Sequence, residues 1–165
     1  MPLSEAQLAM RLTGLGSSDI GQVAGLSPHG GPMDVYLVKT GLAEVQESVA
    51  MRAGRHLEAA VAAMYAEQEG AELAEATTLA HPTEPWILAT PDRFVLGPDG
   101  VPMKLLEIKC IGLHARHLWG DAPDGVPEHY LAQVVWQLGV TGLPTCDVAA
   151  LIGGQDLRVY TVAFD

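Results

Sequence analysis

A chain of 165 residues, 48% of them apolar, can bury one core and fits a single domain over residues 1–165. Its formal charge of −11, from 20 acidic against 9 basic residues, excludes a general nucleic-acid coat protein, because such binding rests on Lys and Arg displacing counterions from phosphates. Cys110 and Cys146 form neither a CxxC pair nor a disulfide framework, and neither a basic-then-apolar leader nor an apolar run of spanning length is present, so a soluble cytoplasmic protein without membrane contact is expected.

Residues 4–12 read as a short helix, with Ser4 as cap, Leu3, Leu8 and Leu12 at helical spacing, and Arg11 near its end. Gly14 to Asp19 breaks it. A second helix is expected over about residues 18–26, and Ser18 with the free N–H groups at its start forms either a plain cap or an anion site. Residues 27–32 are a Pro- and Gly-rich loop, and a helix over residues 33–40 ends at Gly41. The longest helical pattern covers residues 48–69, with Leu57, Val61, Met64 and Tyr65 apolar and Gly70 as terminator. Glu58 falls on that stripe and points toward the core unless the helix is rotated away; inside, a carboxylate is costly unless it is paired or ligates a metal, and chance placement at the edge of the stripe is the plainer alternative. Arg52 and Arg55, one and two turns earlier, face either phosphate or solvent.

Strand patterns follow at residues 72–79 and 86–90, joined by a turn at 81–85. A hairpin then pairs residues 89–96 with 104–110. With Asp99-Gly100 as a two-residue type I′ turn, Pro98 pairs with Val101, and counting outward sets Asp92 opposite Glu107. Alternation puts Lys109 on the face of Glu107, and Leu106, Ile108 and Cys110 on the other. Two carboxylates at cross-strand distance repel, so the arrangement suits a divalent cation between them; a surface hairpin with a polar face is the plainer alternative. Residues 111–127 are irregular and suggest a substrate-facing loop. A helix over residues 128–140 sets Tyr130, Gln133 and Gln137 on one face, where amides are ordinarily solvated, and residues 146–152 and 157–164 close the chain as a hairpin around Gly153-Gly154.

Taken together, Arg11 to Asp19, Leu57-Glu58, Thr90-Pro91-Asp92, Leu106-Glu107-Ile108-Lys109, Tyr130-Leu131-Ala132-Gln133 and Gly139 to Gly142 resemble, in order and spacing, the YqaJ-like viral recombinase and lambda exonuclease family of the PD-(D/E)XK nuclease superfamily. The resemblance implies an α/β (α+β) restriction-endonuclease-like core, a central mixed sheet flanked by helices. It implies Mg²⁺, for which Mn²⁺ can substitute, held by Asp92, Glu107 and the Ile108 carbonyl, with Glu58 completing the site directly or through water. Lys109 would orient or activate the attacking water, and Gln133 would position that water or the lysine. Arg11, Ser18 and Thr90 match a 5′-phosphate pocket, while Tyr130, Gln137, Arg52 and Arg55 are further substrate-side candidates.

The implied activity is hydrolysis of DNA phosphodiesters, as a 5′→3′ exonuclease on linear duplex DNA in phage-type recombination, in a bacterial or phage-encoded protein. The implied partners are double-stranded DNA, a single-strand annealing protein and further copies of the chain, as a trimer. An endonuclease on the same fold and a non-catalytic DNA- or protein-binding module stay open as alternatives, because a fold does not fix an activity. The absence of a cysteine cluster disfavours a Cas4-like nuclease.

Overall fold

The structure, a computed structural model, describes residues 5–121 and 124–164, so the expected Ser4 cap lies outside the described residues. In chain order the elements are α1 (Glu5–Leu12), β1 (Leu15–Gly16), α2 (Ser17–Val23), α3 (Pro32–Lys39), α4 (Val49–Glu69), β2 (Glu72–Glu75), β3 (Leu79–Ala80), β4 (Ile87–Ala89), β5 (Arg93–Leu96), β6 (Pro102–Ile111), a 3₁₀ helix (Leu113–Leu118), α5 (Glu128–Thr141), β7 (Thr145–Ile152) and β8 (Asp156–Ala163). Five strands form the main sheet in the order β2-β5-β6-β7-β8, antiparallel except for the parallel β6/β7 pair. A three-stranded sheet, β1-β4-β3, lies apart from it, with β1 parallel to β4. The expected mixed sheet flanked by helices is therefore present. The single strand expected over residues 72–79 is instead two, one in each sheet, because the chain leaves the main sheet after Glu75.

The hairpin reaches its register by an unexpected route. Gly97 accepts from the Gly100 N–H and donates to the Val101 carbonyl, both at 2.9 Å, and Gly100 has φ +76° while Asp99 stays at negative φ. The loop is thus three residues, 98–100, and not a type I′ turn: Pro98 is locked near the φ a type I turn wants, and only the glycine enters the left-handed region. That loop pairs Leu96 with Pro102, one residue out of the expected register, and an irregularity beside Val95 restores it, so that Arg93 pairs with Leu106. One step further along, Asp92 stands opposite Glu107, as expected.

Helices cover both faces of the main sheet. On one face Val61, Ala62 and Tyr65 of α4 pack on Leu106, Ile108, Ala149 and Leu151; on the other, Val134 and Leu138 of α5 pack on Leu105, Cys146, Val148 and Tyr160. Ser48 caps α4 by accepting from the Met51 N–H, and Gly70 ends it at φ +61°. The buried stripe of α4 is rotated from the expected one, since Leu57 and Met64 are exposed while Ala62 is inside. Glu58 still lies at the N-terminal end of the buried stripe, four residues before Ala62. α2 crosses α5 closely at Gly21, where an added Cβ would meet the His129 carbonyl and Cβ at 3.1 Å. Of the segment expected as an irregular loop, Trp119 is buried and stacks near Tyr130 and Tyr160, with ring centroids 5.6 and 5.5 Å away; this anchors the stretch instead of leaving it free. No helix among the described residues is long and apolar enough to cross a membrane.

Candidate active site

The site forms where β5 parts from β6. Alternation along β6 turns Leu106 and Ile108 toward α4 and Glu107 and Lys109 toward α5. Beyond Arg93 the chain no longer pairs, and Asp92 fills the vacated position by accepting the Ile108 N–H on Oδ2 at 2.7 Å. The N–H and carbonyl of one strand residue face the same edge, so the Ile108 carbonyl also points toward this break. Burial, then the charges of Glu107 and Glu58, push the Asp92 carboxyl up to about 8, against the opposing pull of Lys109 and the Ile108 N–H.

Glu107 is 3% exposed and held by three donors. Its Oε1 accepts from Lys109 Nζ and Gln133 Nε2, each at 2.6 Å, and its Oε2 accepts from Gln137 Nε2 at 2.7 Å. Lys109 also donates to Gln133 Oε1 at 3.1 Å and lies 4.7 Å from the Tyr130 ring centroid. Burial alone would lower the Lys109 pKa, but Glu107 and Asp92 outweigh it, so the net shift is upward and the ammonium keeps its proton. Gln137 is wholly buried, which corrects its placement as a substrate-side group. The amide stripe of α5 is not solvated because α5 lies between α2 and the sheet.

Glu58 arrives from α4 on the opposite face, with Oε1 2.8 Å from Arg93 Nη1. Arg93, 8% exposed, also donates to the Asp92 carbonyl and approaches Glu75 at 3.4 Å. Sequence reading passed over this arginine. The register that sets Asp92 opposite Glu107 also sets Arg93 opposite Leu106 on the core face, where a guanidinium needs a carboxylate, and that was the available signal. Ser17 was likewise missed: it is buried at the start of α2, with Oγ 3.4 Å from Gln137 Nε2.

Arg11 and Ser18 do meet, the guanidinium donating to the hydroxyl at 2.8 Å. α2 begins one residue earlier than expected, at Ser17 with Gly16 as cap, so Ser18 is its second residue and not its N-terminus. The Thr90 hydroxyl is paired with that of Thr78 at 3.0 Å. Parallel pairing of Gly16 with Leu88 sends Ser17-Ser18 and Thr90 out of the same end of the small sheet. Arg55 pairs with Glu47 at 2.8 Å, and Arg52 is exposed on the α4 surface.

Among the described residues no three carboxylate, imidazole or thiol side chains converge as a ready-made cluster. The donor set at the break is two carboxylates and a backbone carbonyl, hard oxygens throughout, which suits Mg²⁺ or Mn²⁺ better than zinc. The Asp92 carboxyl, crowded by Glu107 and Glu58, is in the electrostatic condition that a divalent cation relieves.

The central mixed sheet flanked by helices, with Asp92, Glu107 and Lys109 at the break of one hairpin, defines an α/β protein with the fold of known exonucleases. The same fold occurs in the crystal structure of an alkaline exonuclease from Laribacter hongkongensis, at TM-score 0.74, 21% identity and coverage of 98% of this chain and 83% of that one. It occurs too in a phage-related exonuclease from Haemophilus somnus 129PT, at TM-score 0.67 and 10% identity, covering 92% and 85%. The family model of the YqaJ-like viral recombinase domain matches residues 7–144, and the chain belongs to that family. It is 34% identical over 153 residues to the YqaJ protein of Bacillus subtilis (strain 168), covering 90% of this chain; the chain spans 46% of that relative's length.

Proposed function

We propose that this protein is a Mg²⁺-dependent deoxyribonuclease that degrades linear duplex DNA from its 5′ end. The observation that carries the proposal is the Asp92–Glu107–Lys109 cluster at the break between β5 and β6, each member held by a second group: the Ile108 N–H, the two α5 amides and Tyr130. Family membership and a fold shared with exonucleases support it. Asp92, Glu107 and the Ile108 carbonyl would hold the cation, with Glu58 completing the site. Bound there, Mg²⁺ supplies Lewis-acid neutralisation of the charge that builds on phosphoryl oxygens during in-line displacement.

The chain's own groups do the remaining work. Lys109 carries a proton, so it orients the attacking water or a phosphate oxygen by donating an N–H, and Gln133 fixes its direction. Arg11 and Ser18 present a guanidinium fork and a hydroxyl to one terminal phosphate, with Thr90 leaving the small sheet at the same end. A single-strand annealing protein and a trimeric assembly belong to the same proposal by family resemblance.

The test is the purified protein with Mg²⁺ on linear, nicked and covalently closed circular DNA. Loss of linear DNA alone, faster with a 5′-phosphate than a 5′-hydroxyl, and abolished in Glu107→Gln, is the expected result. Cutting of closed circles would replace the exonuclease with an endonuclease, and inactivity with every divalent metal would leave a binding module.

A further inference from the structure

Among the described residues Gln137 is the only buried side-chain amide with an unmatched atom: its Oε1 finds no hydrogen-bond donor there. An orphaned buried acceptor costs about 1–3 kcal/mol, and an apolar residue of the same shape would avoid that cost. What the amide does supply is one strong bond, Nε2 to Glu107 Oε2 at 2.7 Å, with a longer reach of 3.4 Å to Ser17 Oγ. A carboxylate offers about four acceptor positions, two on each oxygen. On Glu107, Lys109 and Gln133 fill both positions of Oε1, whereas Gln137 takes one of Oε2 and leaves the other open.

From this geometry we infer that Gln137 is a positioning residue for the metal ligand Glu107. It fixes the carboxylate rotation so that the free acceptor capacity sits on Oε2. Through Ser17 it also reaches the first turn of α2, where the Ser18 hydroxyl accepts from Arg11 of α1. Its rigidity comes from its place: wholly buried on α5, between α2 and the sheet, it has no room to turn away. The inference rests on the nuclease proposal and assigns Gln137 a role in metal affinity without any contact to substrate.

The test uses Gln137→Met, which keeps length and helix preference but removes the donor, and Gln137→Asn, which keeps an amide one methylene too short to reach. Calorimetric Mg²⁺ titration without DNA should show affinity weakened about tenfold in both, the low end of what losing a ligand's hydrogen-bond partner costs. The metal-free protein should stay folded but melt lower in Gln137→Met, because the buried Glu107 Oε2 loses its amide donor. With DNA, the Mg²⁺ concentration for half-maximal rate should rise by a similar factor, while kcat at saturating Mg²⁺ and KM for DNA stay near wild type; a merely structural defect would lower kcat at every Mg²⁺ concentration. In the wild-type protein, the ¹H–¹⁵N resonances of the Gln137 side-chain amide should shift on Mg²⁺ saturation, a measurement that needs no variant. Mg²⁺ affinity within twofold of wild type in a folded variant, or an amide signal that Mg²⁺ does not move, overturns the inference while the nuclease proposal stands. A wild-type protein that binds no divalent metal overturns both.

Discussion

If Asp92 ligates the proposed cation, its carboxyl makes metal binding a proton-linked reaction with a defined pH window. In the metal-free folded chain it titrates at about 8, against 3.8 for the ordinary group, because burial and the charges of Glu107 and Glu58 disfavour the anion. Between those values the folded protein holds a proton that the unfolded chain has released, so this group lowers stability as pH rises from about 4 to 8. A cation that needs the carboxylate must displace the proton. Below pH 8 its affinity should therefore fall tenfold per unit, about 100-fold between pH 8 and pH 6, or roughly 2.7 kcal/mol. Calorimetric Mg²⁺ titrations in buffers of different ionisation enthalpy would measure both the affinity and the protons released, approaching one per site at pH 6 and none at pH 9. Thermal stabilisation by Mg²⁺ should accordingly be larger at pH 8.5 than at pH 6. Asp92→Asn should bind weakly with a flat pH profile, and should make the metal-free protein more stable above pH 8. Equal Mg²⁺ affinity at pH 6 and pH 8 in the wild type, or a pH slope that survives in Asp92→Asn, would refute the assignment.

Lys109→Met should leave Mg²⁺ affinity within a few fold and cut turnover by about 10²–10⁴ if, as proposed, the group acts on the reacting atoms and not on the cation; single-turnover rates beside calorimetry would separate the two. Arg93→Met removes the buried guanidinium that donates to Glu58 and to the Asp92 carbonyl and should cost roughly 2 kcal/mol, seen as a lower urea midpoint with an unchanged slope. Beneath α4, on β7, Asp147 is 1% exposed and accepts from the Tyr65 hydroxyl at 2.5 Å, from Thr161 at 2.7 Å and from Lys104. Tyr65→Phe should therefore cost about 1–2 kcal/mol. Burial, then Asp147, raises the phenol above its ordinary pKa, so the loss should be the same at pH 6 and pH 9.

Much of the site was legible because it is local or strictly periodic. Period-two alternation placed Glu107 and Lys109 on one face, and hairpin counting put Asp92 across from Glu107, although the loop has three residues and a compensating irregularity elsewhere in the ladder. Two errors of one residue cancelled there. The caps of α4 were likewise read from Ser48 and Gly70 alone. The rotation of α4 was not legible, because Leu57 and Met64 are as apolar as the Val61, Ala62 and Tyr65 that are buried, and only the shape of the facing sheet chooses between them.

The sequence by itself determined the main helices and the paired strands, the face that Glu107 and Lys109 take on β6, and the order of the motifs that mark the family, since these follow from periodicity and from Gly, Pro and Ser at fixed offsets. Only the tertiary structure decided who meets whom. Gln133 and Gln137 reach Glu107 across 26 and 30 residues of chain, Glu58 meets Arg93 across 35, and Gln137 approaches Ser17 across 120. Such pairings depend on which helix face is pressed against which strand. An amide that periodicity expects in water becomes the anchor of a buried carboxylate once α2 closes over α5, because there a polar group must find a partner inside the protein.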